Sequence, residues 1–480
     1  MKYKHALFLN PYIENTATSI MGLFPPTGLE YVATSVKDLT DKLTLLDLRY
    51  EDDLQRVPAL LDFIKEKKID IICVAVGWDR QYKEICELLN KMPKDIPLIV
   101  GGYKATEEAA ELFNICPTIT AIVRGEGEDT IQEIFKGILF KDILGLSYRD
   151  NETIVHNANR PLGDVNKIAA PDRSLRKNDY RLKLNGVGVE KMTFDTVLSA
   201  RGCPFNCKFC TFSLNPLGQK RVYAARTVAS VMSEIEKIDA NTILFSDDNF
   251  FTIPKRAEEL CDAIIAKKIK KRFISQARID ISKHPRLLAK MNQAGFKVLL
   301  LGIESAHDRI LTQLDKGFDS KTIREAFSVL RKYPIYYHGY FIYGNIGEIE
   351  EEMLYISQFA KEIKLDSITF QKLRIEKFSP LREVAVNTPG YHVTDRGELY
   401  SDTYSHAALK KIGRKIKFSF YTPLRLIKVV IKVVKVRLFT LSEVSSFLNA
   451  TPRILYRVLE REMQKKRLGN SIKRIFMKNS

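Results

Sequence analysis

Short apolar runs alternate with amphipathic stretches through residues 1–140. The predicted strands are rich in Val, Ile and Leu and include HALFLN, LTLLDL, IDIICVAVG, PLIVGG and TAIVRGE. Between them, stretches such as LQRVPALLDFIKEKK and YKEICELLNKM repeat apolar residues at helical spacing. Apolar strands separated by helices predict a parallel sheet covered on both faces. Residues 1–140 are therefore predicted to form a doubly wound, Rossmann-like α/β domain.

Ligands of such sheets bind beyond the carboxyl ends of the strands. The predicted ligand loops of this domain are residues 10–28, 77–80, 101–106 and 125–128. Glycines in three of these loops would let a ligand or another backbone approach closely.

A second alternating series follows a hairpin-like segment, ILGLSYRDNETIVHN, and a proline-containing connection. Its predicted strands are TVLSA, TILFSDD, RFISQAR, KVLLLGIES, YYHGYFIYG and SITFQKL, each followed by a helical stretch. This series predicts a partial (β/α)6 barrel of the TIM type, whose working face is the carboxyl-terminal end of its strands. The domain prediction is 1–140 for the first domain, 141–190 for the hairpin and linker, 191–385 for the barrel and 386–480 for a basic, mostly helical region.

Composition indicates a globular protein with an uneven positive charge. Apolar residues make up 45% and charged residues 28% of the 480, and the net charge is +18. Residues 401–480 hold 19 Lys or Arg against four acids and carry most of the excess. The N-terminus lacks a signal-like apolar core, and no apolar run reaches the roughly 18 residues of a spanning helix. We therefore expect a cytoplasmic protein.

The stretch CPFNCKFC, residues 203–210, contains three of the seven cysteines. The other four are scattered and read as buried small apolar residues. Three clustered thiolates favour zinc or an iron-sulfur cluster. Structural zinc needs a fourth ligand, and the nearest histidines, His156 and His284, are distant in sequence. A four-iron cluster on three cysteines leaves one iron open to a ligand from outside the protein.

Cys203, Cys207 and Cys210, with the aromatic Phe209 before the last, resemble the signature of radical S-adenosylmethionine (SAM) enzymes. The resemblance implies that the three cysteines hold a [4Fe-4S] cluster and that SAM binds the open iron. Reductive cleavage of SAM then gives a 5'-deoxyadenosyl radical, which removes a hydrogen atom from the substrate. The resemblance also implies an electron donor such as flavodoxin or ferredoxin.

Three later segments resemble strand ends of the same family: FSDDNFF, SQARID and LLLGIESAHDRILTQLDKG. The resemblance places Ser246 and Asp247 near the SAM amino group, Arg278 near its carboxylate and Glu304 near the ribose hydroxyls. A cation at Arg278 would offset the carboxylate charge. The structural alternatives are a cap or turn at Asp247, a surface ion pair at Arg278 and a structural carboxylate at Glu304.

The segment HGYFIYGNIGEIEEEM resembles the family's fifth strand and the turn after it. It has Asn345 and Ile346 where a Leu-Pro pair is common. The resemblance implies an adenine contact around Tyr343 and Gly344.

The first domain resembles the cobalamin-binding subclass of radical SAM enzymes through PPTGLEYVATSVKD, the glycine pair at 101 and RGEGED. Gly101, Gly102 and Gly125 would then lie in the cobalamin loops. The sequence lacks the Asp-x-His-x-x-Gly pattern that supplies a histidine to cobalt in other cobalamin proteins. Cobalamin would imply methyl transfer to an unactivated carbon of a lipid-like or natural-product substrate. A vestigial first domain would instead leave radical cyclisation or rearrangement.

In YTPLRLIKVVIKVVKVRLF, residues 421–439, four basic residues share one helical face: Arg425, Lys428, Lys432 and Lys435. Such a helix can lie at the inner membrane surface, where each cation contributes roughly 1 kcal/mol. Alternatively, it packs its wide apolar face on the barrel and shows only the basic stripe to water.

Nucleic acid is the competing partner for the basic charge. Radical SAM methylthiotransferases modify transfer RNA, but they carry three further cluster cysteines that this sequence does not match. Residues 440–467 fit either a small helix-turn-helix or a helical lid on the barrel. We therefore predict a small-molecule or lipid substrate and regard nucleic acid as the weaker alternative.

Overall fold

A computed structural model describes residues 2–12, 21–22, 24–77, 81–184, 187–211 and 215–476. The chain divides into two compact units. The first unit comprises Met1–Gly163, Ile168–Asp195 and Leu441–Ser480, and the second comprises Asp164–Lys167 and Thr196–Thr440.

The first unit is built around a strand-helix alternation. Its strands are β1 (Tyr3–Asn10), β2 (Met21–Gly22), β3 (Thr40–Asp47), β4 (Ile71–Ala75), β5 (Leu98–Gly101), β6 (Ala121–Val123), β7 (Leu146–Asp150), β8 (Thr153–His156) and β9 (Arg181–Leu184). Its first six helices are α1 (Thr27–Ser35), α2 (Val57–Glu66), α3 (Tyr82–Leu89), α4 (Tyr103–Glu107), α5 (Ala109–Ile115) and α6 (Glu128–Phe135).

The main sheet of this unit has the order β3-β1-β4-β5-β6-β7-β8. Strands β3, β1, β4, β5 and β6 are parallel, and β7 and β8 add an antiparallel hairpin at one edge. On β1, Leu7 and Leu9 belong to one buried apolar cluster, and Ala6 and Phe8 belong to another. Both faces of the sheet are therefore covered, which confirms the predicted doubly wound fold and the hairpin.

The strand order reverses at β1, which lies between β3 and β4. Such a switch point opens a crevice at the carboxyl ends of the two neighbouring strands. Two of the predicted ligand loops begin there, at 10–28 and 77–80. Residues 13–20, 23 and 78–80 of these loops lie outside the described residues.

The second unit repeats the alternation in a different sheet. Its strands are β10 (Val187–Val197, which begins in the first unit), β11 (Ala200–Arg201), β12 (Ala224–Ala225), β13 (Thr242–Phe245), β14 (Arg272–Ala277), β15 (Phe296–Glu304), β16 (Tyr336–Tyr343), β17 (Ser367–Lys372), β18 (Tyr391–Val393) and β19 (Leu399–Ser401). Its helices are α7 (Val228–Glu236), α8 (Pro254–Ala266), α9 (Pro285–Ala294), α10 (Asp308–Gln313), α11 (Ser320–Leu330), α12 (Glu350–Glu362), α13 (Leu381–Asn387), α14 (His406–Phe420) and α15 (Pro423–Lys435).

Strands β17, β16, β15, β14, β13 and β10 are neighbours in that order, and β13 to β17 pair in parallel. Because sequential strands lie side by side with helices between them, the sheet is the predicted partial (β/α)6 barrel. One apolar cluster joins the outer face of this sheet to its helices, and Phe245, Phe273 and Phe296 are packed within it.

Strand β9 was not predicted from the sequence; it pairs with β10 and with the two-residue strand β2 in an antiparallel arrangement. Its segment, RLKL, alternates basic and apolar residues and is very short. The small β18–β19 ladder was also missed.

Helix α14 continues the barrel pattern after β17. Its first residue, His406, lines a cleft together with Lys372 at the carboxyl end of β17. Just beyond its last turn, the Tyr421 hydroxyl donates to the Ile368 carbonyl at 2.6 Å, near the amino end of the same strand. The helix therefore runs back along the outer face of the sheet.

Helix α15 turns two of its basic residues toward the barrel, whereas the packing alternative placed its apolar face there. Arg425 donates to the Leu365 carbonyl, and the Lys432 ammonium lies 3.7 Å from the Asp366 carboxylate, both just before β17. Large apolar side chains instead face outward, with exposures of 64% at Leu424, 57% at Ile427, 60% at Val430, 59% at Ile431 and 45% at Val434. Val429 and Val433 do pack against a buried cluster of the barrel, but most of the wide apolar face is exposed, because Arg425 and Lys432 bind polar groups of the barrel.

The remaining helix, α16 (Leu441–Phe476), is continuous through Pro452. A helix-turn-helix over 440–467 is therefore wrong. Within the described ranges, no helix has the length and apolar character needed to cross a membrane.

Candidate functional site

The three cysteines lie on the loop that leaves β10 at the carboxyl end of the half barrel. The short antiparallel pair β11–β12 closes this loop at its base. At the first turn, Gly202 has φ of 91°, and a Cβ there would lie 2.3 Å from the Arg221 carbonyl oxygen. Glycine is thus required at Gly202, because only glycine allows the two arms of the loop to approach.

Hydrogen bonds fix the cysteine loop against the rest of the barrel unit. The Cys203 amide donates to the Arg221 carbonyl at 3.2 Å, and the Lys208 amide donates to the Leu314 carbonyl at 3.0 Å. The Ser379 hydroxyl donates to the Lys208 carbonyl at 2.5 Å. Cys207 is buried, whereas Cys203 and Cys210 are partly exposed. The loop is therefore pre-organised, and two of its three thiols remain partly accessible.

Arg278 is buried beside this loop, and its Nε donates to the partly exposed Asp280 carboxylate at 3.1 Å. Its Nη1 lies 3.8 Å from Cys207 Sγ, and its Nη2 donates to the Lys316 carbonyl at 2.6 Å. The guanidinium carbon lies 3.7 Å from the centroid of the Phe205 ring and 5.1 Å from that of Phe318. The arginine thus brings a positive charge to the Cys207 sulfur, and two aromatic faces favour that charge.

Glu304 forms a buried ion pair at the carboxyl end of β15. Its Oε1 accepts from Lys316 Nζ at 3.0 Å, and both side chains are less than 10% exposed. Gly302 makes room for the pair, because a Cβ there would lie 2.5 Å from Glu304 Oε1. Glu304 also takes a left-handed φ of 67°, uncommon outside glycine. Since Arg278 binds the Lys316 carbonyl, Cys207, Arg278, Lys316 and Glu304 form one connected group.

Asp247 braces the strand that precedes the cysteine loop. Its carboxylate is 1% exposed and accepts from the Ser199 amide at 2.6 Å and the Ser199 hydroxyl at 2.5 Å. Burial raises the Asp247 pKa to about 6. The neighbouring Asp248 accepts from the Gly202 amide at 2.8 Å. The Ser246 hydroxyl, predicted near the SAM amino group, lies 3.4 Å from the Val197 carbonyl.

The turn after β16 depends on Asn345, which the sequence comparison singled out, and on Glu348, which it did not. Asn345 is 1% exposed, and both its amide and its Nδ2 donate to Glu348 Oε2, at 2.9 and 3.0 Å. Burial raises the Glu348 pKa to about 7. Gly344 enters this turn with φ of 71°, and the Tyr343 ring packs in the barrel's outer cluster. A buried Asn-Glu pair therefore shapes the turn where the family's Leu-Pro pair is common.

In the first unit, the glycines predicted for cobalamin lie in linked loops. The Thr106 hydroxyl donates to the Gly102 carbonyl at 2.9 Å and accepts from the Gly125 amide at 3.1 Å. A Cβ at Gly102 would lie 2.7 Å from the Val76 carbonyl oxygen, while Gly101 has only ordinary contacts. Gly102 is thus required by the close approach of the loops after β4 and β5.

Two other glycines fit a bound cofactor better. Among the described residues, no atom outside the adjoining chain lies within 4 Å of a Cβ built at Gly28, on α1, or at Gly77, after β4. These positions flank the switch point, where a doubly wound sheet binds its ligand. Within the described residues, both positions therefore leave room for a ligand at the switch point.

The donor set of the cysteine loop fits an iron-sulfur cluster. Three soft thiols share one fixed loop, and a buried cation contacts one of them. Across the described residues, no three His, Cys, Asp or Glu side chains are arranged as ligands of a single metal ion. The assignment therefore rests on the spacing of the thiols and their place in the barrel.

Known proteins match both units. Residues 197–360 match the Radical SAM superfamily, and residues 16–135 match the B12 binding domain family. The uncharacterized methyltransferase PH0819 of Pyrococcus horikoshii is 29% identical over 383 residues, which cover 77% of this chain and 80% of that protein. The anaerobic magnesium-protoporphyrin IX monomethyl ester cyclase of Cereibacter sphaeroides is 24% identical over 395 residues, covering 78% of this chain and 62% of the cyclase.

The fold also resembles a solved structure, that of the radical S-adenosylmethionine methyltransferase TsrM from Kitasatospora setae with cobalamin and a [4Fe-4S] cluster bound. The TM-score is 0.69 at 15% sequence identity, and the match covers 88% of this chain and 90% of that chain. At this identity, the likeness is one of fold.

The raised pKa of Glu348 predicts a pH-dependent stability. An acid with a raised folded-state pKa stabilises the protein fully below its ordinary pKa, and this contribution is lost as pH rises through about 7. Glu348→Gln keeps an acceptor for Asn345 without this titration. At pH 8 the variant should have the higher free energy of unfolding, by at most about 3 kcal/mol, with little difference at pH 5.

Urea titrations at both pH values would measure this effect. The exposed Glu351 on α12 provides the control, since Glu351→Gln should keep the wild-type pH dependence. Parallel pH dependences in wild type and Glu348→Gln would contradict the burial argument.

Proposed function

Because the chain belongs to the radical SAM enzymes that carry a B12 binding domain, we propose that it methylates an unactivated carbon of a lipid-like or other natural-product substrate. The cofactors of this proposal are a [4Fe-4S] cluster, SAM and cobalamin. The observation that carries it is the fixed three-cysteine loop at the carboxyl end of a half barrel, in a chain that also contains a cobalamin-type domain.

When bound, these cofactors would supply the reductive cleavage of SAM and a methyl group for transfer to carbon. Cys203, Cys207 and Cys210 would hold the cluster. Arg278 lowers the cost of placing negative thiolates there, and Phe205 packs over its guanidinium. Asp247 and Asp248 hold the base of the loop in position.

The polar groups at the end of β15 support SAM binding near the same loop. Lys316 Nζ lies 5.6 Å from the centroid of Phe209, the aromatic of the cysteine motif. Its partner Glu304 therefore lies close to the loop, where a carboxylate could accept from ribose hydroxyls. SAM binding by Ser246, Asp247 and Arg278 remains a prediction, because the contacts described above join these side chains to the protein itself.

Polar side chains of β16 can position a substrate without adding charge. His338 on β16 has both ring nitrogens within hydrogen-bond distance of hydroxyls, Ser367 Oγ at 2.6 Å and Thr369 Oγ1 at 3.0 Å. Burial lowers the His338 pKa to about 4, so the ring is neutral at pH 7. Burial, and then the charge of Glu304, raises the pKa of the neighbouring Tyr340, which stays protonated.

The outward face of α15 supports a peripheral membrane contact. Its exposed side chains form an apolar face on one helix, including Leu424, Ile427, Val430, Ile431 and Val434. Lys428 and Lys435 are exposed beside this face and suit anionic headgroups. We propose that α15 rests on an anionic membrane surface. An external donor such as flavodoxin or ferredoxin would supply the electron.

The cluster assignment predicts a sharp difference among cysteine variants. Cys203→Ala, Cys207→Ala and Cys210→Ala should each lose the bound iron, the broad visible absorbance and the formation of 5'-deoxyadenosine from SAM. Cys261→Ala, which alters a buried cysteine of α8, should retain all three. Iron analysis and chromatography of anaerobically purified proteins would test this. Equal loss in all four variants would contradict the assignment.

The cobalamin assignment predicts about one equivalent of cobalamin in protein purified without oxygen from cells supplied with the vitamin. Because no described residue outside the adjoining chain lies within 4 Å of a Cβ at Gly77, Gly77→Val should lower this content without lowering the melting temperature. Gly102→Ala should lower both, because its Cβ would collide with the Val76 carbonyl. Wild-type protein with an intact cluster and no cobalamin would favour cyclisation or rearrangement instead.

The membrane proposal predicts that added charge on the outward face of α15 disrupts binding. Val430→Glu combined with Ile431→Glu should weaken co-sedimentation with phosphatidylglycerol vesicles by at least about tenfold, because two apolar side chains that the membrane would bury are replaced by anions. Val386→Glu is the control, because Val386 is 64% exposed on α13, a different helix. Unchanged vesicle binding in the double variant would overturn the proposal.

A further inference from the structure

A basic cleft lies between α14 and the carboxyl ends of β16 and β17. Its volume is about 390 Å³. Tyr343 and Phe370 form an aromatic wall, and four cations line the cleft: Lys372, Lys410, Arg414 and Lys417. This volume suits a small molecule.

The cleft depends on a close approach between a strand and a helix. A Cβ at Gly413 of α14 would lie 2.5 Å from the Tyr343 hydroxyl oxygen. The Tyr343 ring also lies 5.9 Å from that of Phe370, with the planes inclined at 68°. Any larger residue at Gly413 would displace the tyrosine from the wall.

The cations of the cleft share one face of α14. Lys410, Arg414 and Lys417 follow each other at spacings of four and three residues. No carboxylate of the described residues lies within 4.0 Å of any of the three. By contrast, Lys415 on another face of the same helix pairs with Glu350 at 2.5 Å. The one acidic residue lining the cleft, Glu398, lies 3.8 Å from Lys372.

Lys410, Arg414 and Lys417 are exposed to solvent, and an anion between them would offset their mutual repulsion. Lysine and arginine together suit phosphate, which offers several oxygens and more than one negative charge. The aromatic wall would receive an apolar portion of the same ligand. We propose that this cleft binds an organic phosphate, with its phosphate group on Lys410, Arg414 and Lys417.

None of the residues that line this cleft belongs to the cysteine loop. SAM carries a single carboxylate together with two cationic centres, so it matches this cluster of cations poorly. The phosphate has two chemical sources, a soluble phosphate ester or the headgroup of a phospholipid. The proposal does not depend on methyl transfer, so it can be tested in protein without catalytic turnover.

Isothermal titration of the full-length chain with inorganic pyrophosphate would test the site. Lys410→Gln combined with Arg414→Gln should weaken binding by at least about tenfold, because two charge-assisted contacts are lost. Lys411→Gln is the matched control, since Lys411 is exposed on the same helix and does not line the cleft. Thermal denaturation would verify that each variant is folded.

Two further arms identify the source of the phosphate. Tighter binding of monomeric dioctanoyl phosphatidic acid than of pyrophosphate, lost in the double variant, would indicate a lipid headgroup. Tighter binding of pyrophosphate would indicate a soluble ester. Equal affinities in wild type and double variant, equal weakening in Lys411→Gln, or displacement of pyrophosphate by SAM would each overturn the proposal.

Discussion

The buried carboxylate of Asp247 is the constraint on which the cysteine loop depends. It takes both the amide and the hydroxyl of Ser199, so β10 ends at a defined point beside β13. The adjacent Asp248 then holds Gly202, the residue that turns the chain into the loop. Two neighbouring acids thus fix both the end of the strand and the start of the turn, and burial raises the pKa of each. Burying these acids costs free energy, but their hydrogen bonds hold the loop that carries the three thiols.

The barrel separates its polar and apolar functions between two ends. At the carboxyl end lie the cysteine loop, Arg278 and the pair of Glu304 with Lys316. At the amino end, Val436 and Leu438 pack against Val298 and Tyr336 and cover the bottom of the half barrel. Because parallel strands point the same way, each end collects a different chemistry.

Sequence patterns predicted most of the fold because buried strands and amphipathic helices each give a recognisable spacing of apolar residues. The six barrel strands, the doubly wound sheet and the edge hairpin all appear where apolar periodicity indicated them. Contacts that depend on distant partners escaped prediction. Nothing near Arg425 or Lys432 indicates that Leu365 and Asp366 would turn these cations inward, and the Asn345–Glu348 pair looks like an ordinary polar turn. The local sequence pattern likewise did not predict that Leu441–Ser480 groups with the first unit.

The outward apolar face of α15 affects how a lipid substrate would reach the cysteine loop. Arg425 and Lys432 attach it beside the residues that precede β17, at the end of the barrel opposite the thiols. If the barrel docked on a membrane through this helix, the end that carries the cysteine loop would face away from the bilayer. A lipid substrate would then have to leave the membrane before it could react, at a cost of about 0.8 kcal/mol for each methylene exposed to water. Such a geometry would discriminate among lipids by their ease of extraction and favour short or partly polar chains.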